Sequence, residues 1–233
     1  MPSISAVIVA GGKGERMQAD IRKQYLMLDG VSILSRTLLA FAEIPVINKI
    51  YLAVPEIDFD FCTRQVIPSI DNKIPIQLVK GGANRQESVY NTLSAITDPD
   101  GIVVIHDGVR PFVPARQTQE AIAWAVQEGG CILGIPAVDT LKNVDNEGYI
   151  TNTMHRAGVW QAQTPQVFQY QLIKKAHDYA LSAGYTGTDD ASLVENIGSR
   201  VRMIPGSSYN IKITKPEDLI IARGILNHYK VNA

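Results

Sequence analysis

The sequence predicts an α/β fold: a mostly parallel sheet flanked by helices, with a protruding β-arm. Three observations predict it. An apolar run rich in β-branched residues, Ala6-Val7-Ile8-Val9, ends in Ala10-Gly11-Gly12-Lys13-Gly14, as a buried parallel strand does at its carboxyl edge. Strand-like and helix-like segments then alternate in the manner of parallel sheets. Between about 137 and 162 the rhythm breaks, and two short β-prone runs surround a polar turn.

The 233 residues suffice for one substantial core, and a single domain over 1–233 is expected. A formal charge of −1 gives no overall field favouring nucleic acid or an anionic membrane, so any anion site must be a local cluster of cations. No apolar run approaches the roughly 20 residues that span a bilayer. A cytoplasmic protein is expected. Cys62 and Cys131 belong to no Cys-x-x-Cys or Cys/His cluster and are expected as buried structural thiols.

The opening loop is the most informative stretch. Glycines let main-chain N–H groups approach a phosphate, and Lys13, Arg16 and Lys23 follow to neutralise it. The expected ligand is a polyanion, most simply a nucleoside triphosphate; a tight turn with solvated cations is the alternative. The Walker pattern fails because Gly14 follows Lys13 where a hydroxyl residue belongs, and the dinucleotide pattern fails at Met17.

Further on, Ser32 to Phe41 has one apolar helical face, Lys49 to Val54 alternates as a strand, Phe61 to Ile67 reads as helical and Ile76 to Val79 as a strand. Asn84 and Glu87 have capping-box spacing, so a helix starts after Gly81-Gly82. Arg85 in its first turn and Ser88 one turn in suit nucleotide contact; a solvated arginine on a plain connection is the alternative. Ile102 to Ile105 reads as a central strand running into His106-Asp107-Gly108-Val109-Arg110. Asp107 is the candidate Mg²⁺ ligand, an ion pair with Arg110 being the alternative. His106 is read as a hydrogen-bonded strand-end residue.

Ala115 to Glu128 is an amphipathic helix ended by Gly129-Gly130, and Cys131 to Ile135 a strand. The 137–162 arm, turning at Asp145-Asn146-Glu147-Gly148, suits a dimer contact. Its Asp139, Thr140, Lys142 and Arg156 suit a second, phosphorylated substrate, with a purely structural arm as the alternative. Thr164-Pro165 is expected to open a helical turn, with a helix following to about Ala183. Thr188-Asp189-Asp190-Ala191-Ser192 reads as a helix cap, with a metal site at the clustered carboxylates as the alternative. Val201 to Ile204 is the last sheet strand. Lys212 alternates with Ile211 and Ile213 and should face the sheet edge. Thr214-Lys215-Pro216-Glu217 is read as a second capping box.

Taken together these segments resemble the 2-C-methyl-D-erythritol 4-phosphate cytidylyltransferases, a family with the nucleotide-diphospho-sugar transferase fold, a Rossmann-like mostly parallel sheet. The resemblance rests on Ala10-Gly11-Gly12-Lys13-Gly14-Glu15-Arg16-Met17, Lys23-Gln24-Tyr25-Leu26, Gly81-Gly82 with Arg85 and Ser88, His106-Asp107-Gly108-Val109-Arg110-Pro111-Phe112, Val138-Asp139-Thr140-Leu141-Lys142, Gln163-Thr164-Pro165-Gln166, Thr188-Asp189-Asp190-Ala191 and Asn210-Ile211-Lys212-Ile213-Thr214. It implies that Ala10, Gly11 and Gly12 face CTP, that Arg16 and Lys23 hold the triphosphate, and that Gly82 and Ser88 help select cytosine. Asp107 would hold Mg²⁺ and Lys212 would contact the reacting phosphate. Thr140 and Arg156, from a neighbouring subunit's arm in a homodimer, would grip the methylerythritol phosphate.

The sequence departs from that family's pattern at Arg22, where proline is frequent, at Tyr209, where some members carry aspartate, and at Gly11 in place of alanine. Arg22 makes a more mobile loop with an extra cation the expectation. A pentitol-phosphate cytidylyltransferase is the second reading. A non-catalytic nucleotide-binding protein is the third, opposed by the joint presence of Arg16, Lys23, Asp107 and Lys212.

Overall fold

The computed structural model describes residues 2–12, 21–70 and 74–231. Strand β1 (Ile4–Val9) is buried at every position. After it come a 3-10 turn (Lys23–Tyr25), a small ladder of β2 (Met27–Leu28) and β3 (Val31–Ser32), and helix α1 (Ile33–Ala42). The Ser32 side chain caps α1 by accepting from the Ser35 N–H at 3.0 Å. Strand β4 (Lys49–Val54) leads into a 3-10 turn, the single turn α2 (Phe59–Phe61), a π-helical turn (Cys62–Val66) and another 3-10 turn (Ile67–Ile70). The predicted helix over 61–67 is thus a chain of mixed turns. Pro68, which has no N–H, prevents one regular ladder from continuing.

The remaining elements are β5 (Ile76–Lys80), α3 (Arg85–Ala95), β6 (Ile102–Asp107), α4 (Ala115–Glu128), β7 (Gly130–Pro136), β8 (Lys142–Val144), β9 (Ile150–Thr153), β10 (Trp160–Gln169), α5 (Tyr170–Ala183), α6 (Asp190–Asn196), β11 (Arg202–Pro205) and α7 (Pro216–Val231). The main sheet has the order β11-β7-β10-β6-β1-β4-β5. Strand β10 is antiparallel to both neighbours, and every other pair is parallel. The connections run from β1 outward through β4 to β5, then return to place β6 on the other side of β1. That reversal opens a crevice beyond the carboxyl ends of β1 and β6, where open α/β sheets bind ligands.

Alternation along β1 builds the core on both faces. Ala6 and Ile8 pack with Leu34 and Leu38 of α1 and Ala121 of α4, whereas Val7 and Val9 pack with Val89 and Leu93 of α3 and Ile173 of α5. A third cluster seats Ala222 and Ile225 of α7 against Leu28, Val109 and Ile213. Strands β8 and β9 form a separate exposed hairpin, at the place in the chain expected for the arm.

Four local expectations need correction. Thr164 and Pro165 open no helix. They lie inside β10, across a cis peptide bond and within a register irregularity between Ala162 and Gln166; a proline fits there because the ladder asks no donor of it. Asn84 caps α3 as expected, accepting from the Glu87 N–H at 2.9 Å, but the Glu87 carboxylate reaches back to the N–H of Ala83 at 2.8 Å, one residue short of a reciprocal box. The carboxylate that closes the start of α7 belongs to Asp218, not Glu217. It accepts from Thr214 N–H (2.7 Å), Thr214 Oγ1 (2.9 Å) and Lys215 N–H (2.9 Å). Residues 210–214 lie outside the sheet, tied to the body through the Ile213 N–H to Val109 carbonyl bond of 3.0 Å.

Candidate active site

At the switch point β1 delivers Ala10, Gly11 and Gly12, β6 delivers Asp107, and β5 delivers Gly81 and Gly82 ahead of α3. The glycine turn is held in place from beneath. The Ala10 N–H bonds to the Ala53 carbonyl at 2.8 Å, and Gln24 Nε2 donates to the Ala10 carbonyl at 2.7 Å. Gln24 is buried, so the 3-10 turn carrying Lys23 is anchored to the turn it faces.

Arg22 belongs to the same anchor. It ion-pairs with Asp58 at 3.0 Å, and Asp58 also accepts from the Tyr25 hydroxyl at 2.9 Å. The backbone of Arg22 has φ −56° and ψ 136°, which is proline-like geometry. Arg22 itself is held by an ion pair, and residues 13–20 of the loop before it lie outside the described residues.

Across the crevice, Ser88 Oγ accepts the Gly82 N–H at 3.0 Å and donates to the Asn84 carbonyl at 2.8 Å. A Cβ built on Gly82 would come within 2.3 Å of Glu87 Cγ, so this turn requires glycine. Gly11 is less constrained, its would-be Cβ lying 3.6 Å from Ser88 Oγ.

Asp107, only 5% exposed, is the electrostatic centre. Its Oδ1 lies 2.9 Å from Arg85 Nε, and its Oδ2 lies 2.8 Å from Lys212 Nζ and 3.5 Å from Arg110 Nε. Burial pushes the Asp107 carboxyl upward, but Arg85, Lys212 and Arg110 outweigh it and hold the group well below the usual carboxylate range. Arg110 is fixed by a 2.7 Å bond to the Asn210 carbonyl, and the Asp107 N–H bonds to Thr164 Oγ1 at 3.2 Å. His106 is fully buried, with Nε2 3.0 Å from the Arg110 carbonyl, and desolvation lowers its pKa to about 3. It is the hydrogen-bonded strand-end residue expected.

Arg85 has a second partner that the sequence did not reveal. Its Nη1 lies 2.7 Å from Asp190 Oδ2, and Asp190 Oδ1 lies 3.3 Å from His177 Nε2. The Thr188–Ser192 stretch does cap α6, through Asp189, which accepts from the Ser192 N–H at 2.9 Å. One carboxylate suffices for that cap, and the adjacent second one was the signal for another role. A solvated Arg85 is excluded.

Ala10, Gly11, Gly12, Lys23, Gly82, Arg85, Ser88, Asp107 and Lys212 line one open cavity of about 820 Å³, a size typical of small-molecule sites. Arg16 lies outside the described residues. Thr140 and Arg156 are exposed on the arm and do not line this cavity; an Arg156 nitrogen donates to the Val138 carbonyl.

A divalent cation fits the cavity in one way. Among the described residues no three His, Cys, Asp or Glu side chains gather as a metal cage. Mg²⁺, however, commonly takes one carboxylate and completes its shell with substrate phosphates and water. Asp107 is the carboxylate that would serve, and its Oδ2 faces Lys212, a side chain 38% exposed that a cation would have to displace. Tyr209 meets the His228 ring at a tilt and the Tyr229 ring edge-on, and supplies no second carboxylate.

The model of the IspD family, 2-C-methyl-D-erythritol 4-phosphate cytidylyltransferase, matches residues 4–228. The chain belongs to this cytidylyltransferase family. A cytidylyltransferase of that name from Geotalea uraniireducens is 44% identical over 225 residues, covering 96% of each chain. Another from Syntrophotalea carbinolica is 46% identical over 226 residues, covering 97% of each. The crystal structure of 4-diphosphocytidyl-2C-methyl-D-erythritol synthase from Anaerococcus prevotii superposes with a TM-score of 0.83 at 32% identity, over 97% of this chain and 96% of that one. Membership makes the chain an enzyme of the cytidylyltransferase class and favours the methylerythritol reading over the pentitol and non-catalytic ones. No helix of the described residues is long and apolar enough to cross a membrane.

Proposed function

We propose that the cavity binds CTP and 2-C-methyl-D-erythritol 4-phosphate and transfers CMP between them, giving 4-diphosphocytidyl-2-C-methyl-D-erythritol and pyrophosphate for isoprenoid precursor synthesis. The observation that carries the reading is the meeting of Asp107, Lys212 and Arg85 beside the glycine turn of β1.

In this reading a phosphate oxygen of the acceptor attacks the α-phosphorus of CTP. A new P–O bond forms, the α–β bridging bond breaks, and its electron pair leaves on pyrophosphate. Such transfers depend on alignment and charge neutralisation more than on covalent help from the protein. Arg16 and Lys23 hold the triphosphate as charge moves to the leaving group, and Lys212 neutralises the reacting phosphate. Ala10, Gly11 and Gly12 present backbone to the nucleotide, while Gly82 and Ser88, in the turn before α3, select the base. Asp107 would hold Mg²⁺, which when bound withdraws charge from the phosphate oxygens it touches. Arg85 holds Asp107 in place.

Thr140 and Arg156 grip the acceptor phosphate from the arm of a second copy in a homodimer, consistent with neither lining the cavity of its own chain. Residues 1–233 act as one catalytic domain, and water-soluble substrates suit a cytoplasmic location. The test is pyrophosphate release from CTP, with Mg²⁺, in the presence of methylerythritol phosphate, ribitol 5-phosphate or neither. Release with the first alone supports the reading; release only with ribitol 5-phosphate, or none with either acceptor, overturns it.

A further inference from the structure

Asp190 is 1% exposed and cannot touch a substrate in the cavity. It is nevertheless connected to the cavity through one side chain. Arg85 lies between two carboxylates that come from different elements, Asp107 at the end of β6 and Asp190 at the first residue of α6. A guanidinium is a planar fork, so fixing one edge fixes the direction of the other.

The position of Asp190 is set from three sides. Gln166 Oε1 of β10 accepts its N–H and that of Ala191, both at 3.0 Å, while Gln166 Nε2 donates to Asp189 Oδ2 at 2.7 Å. His177 of α5 occupies Oδ1 at 3.3 Å and leaves Oδ2 to Arg85. The chain His177, Asp190, Arg85, Asp107 therefore runs from a buried helix face to the cavity floor.

A buried ion pair is weak evidence for stability, because desolvation consumes much of the Coulomb gain. What this arrangement supplies instead is direction. We propose that Asp190 is a positioning residue for nucleotidyl transfer: it holds the Arg85 fork in the plane from which Nε restrains Asp107, and His177 holds Asp190. The inference rests on the cavity being the CTP site, which the wild-type pyrophosphate assay tests separately.

The experiment is a double-mutant cycle of Asp190→Asn and Arg85→Ala, read as kcat and KM for CTP per folded enzyme, with thermal unfolding of each variant in parallel. Asp190→Asn alone lowers kcat/KM by about tenfold to a hundredfold, the scale of a small misplacement at a reacting centre. In the Arg85→Ala background it lowers kcat/KM by less than about twofold, because the side-chain link from Asp190 to Asp107 is gone. Losses that multiply across the two substitutions, or unchanged kinetics in Asp190→Asn, overturn the proposal. If Asp190→Asn does not fold, His177→Gln carries the same test with a loss of several-fold that vanishes in Arg85→Ala. A His177→Gln loss that persists in that background, or no loss at all, overturns it. Failure of the wild type to release pyrophosphate would fall on the proposed function; the Asp190 and Arg85 coupling would then be read from unfolding free energies alone, where additive changes overturn it.

Discussion

Lys212 Nζ lies 2.8 Å from Asp107 Oδ2, so a residue of the segment before the last helix completes the site at the end of a central strand. Removing either partner has different consequences. Lys212→Ala leaves Asp107 paired with Arg85 and Arg110, so folding is preserved while turnover falls by about 10²-fold or more, as for other preorganised charge contacts. Asp107→Ala strips a buried charge from three cations; it abolishes turnover and also destabilises the fold by roughly 3–5 kcal/mol. Steady-state kinetics beside chemical denaturation separate the two.

Lys23→Ala is expected to depress turnover by about 10²-fold. Buried Gln24 keeps that turn tied to Ala10 in the variant. Near wild-type kinetics would remove Lys23 from the site.

The two glycine turns differ in tolerance. Gly11→Ala places its methyl at ordinary contact distance from Ser88 and leaves the CTP KM within about twofold of wild type, since small accommodated changes are neutral. Gly82→Ala collides with the Cβ and Cγ of Glu87, and displacing the turn before α3 costs about 1–3 kcal/mol. The expected readout is a CTP KM raised by about tenfold.

Asp218 ties the start of α7 to the segment that carries Lys212. Asp218→Ala should therefore cost about 1 kcal/mol of stability at neutral pH. Burial raises the Asp218 carboxyl, but hydrogen bonds from Thr214 and Lys215 outweigh it, so the folded pKa is depressed below the unfolded one. The stabilisation is present above that value and lost as pH falls through the lower folded value. Denaturation curves of wild type and Asp218→Ala should thus differ at pH 7 and converge in strong acid.

Arm donation can be tested by complementation. Lys23→Ala and Arg156→Ala homodimers are each expected to be inactive. When the two are unfolded together and refolded at equal amounts, about a quarter of wild-type activity should return, since each mixed dimer then has one intact site. No recovery would mean that Arg156 serves its own chain.

Most of the sheet was legible from apolar periodicity, and β4 was placed to the residue. The period failed where buried positions are polar. Strand β6 runs on through His106 and Asp107 because each finds local partners that make its burial tolerable. Strand β10 was misread at Thr164-Pro165 because a proline normally signals a helix start or a strand edge. The cavity was legible because its backbone turns and cations carry strong local signals. The Asp190 contact was not, since it joins α3 to α6 across the sheet face and only packing brings such distant residues together. The adjacent aspartates were read together as cap oxygens, and the fold divides them, Asp189 capping α6 and Asp190 pairing with Arg85.

Strand β10 begins at Trp160, next to the arm, and continues to Gln169 in the centre of the sheet. Along the way Thr164 meets the Asp107 N–H, and Gln166 holds the start of α6. Inserting or deleting one residue there would turn those side chains to the opposite surface, whereas the exposed tip at Asn146 and Glu147 can absorb length changes. Natural length variation should therefore collect at the hairpin tip and stop short of Trp160.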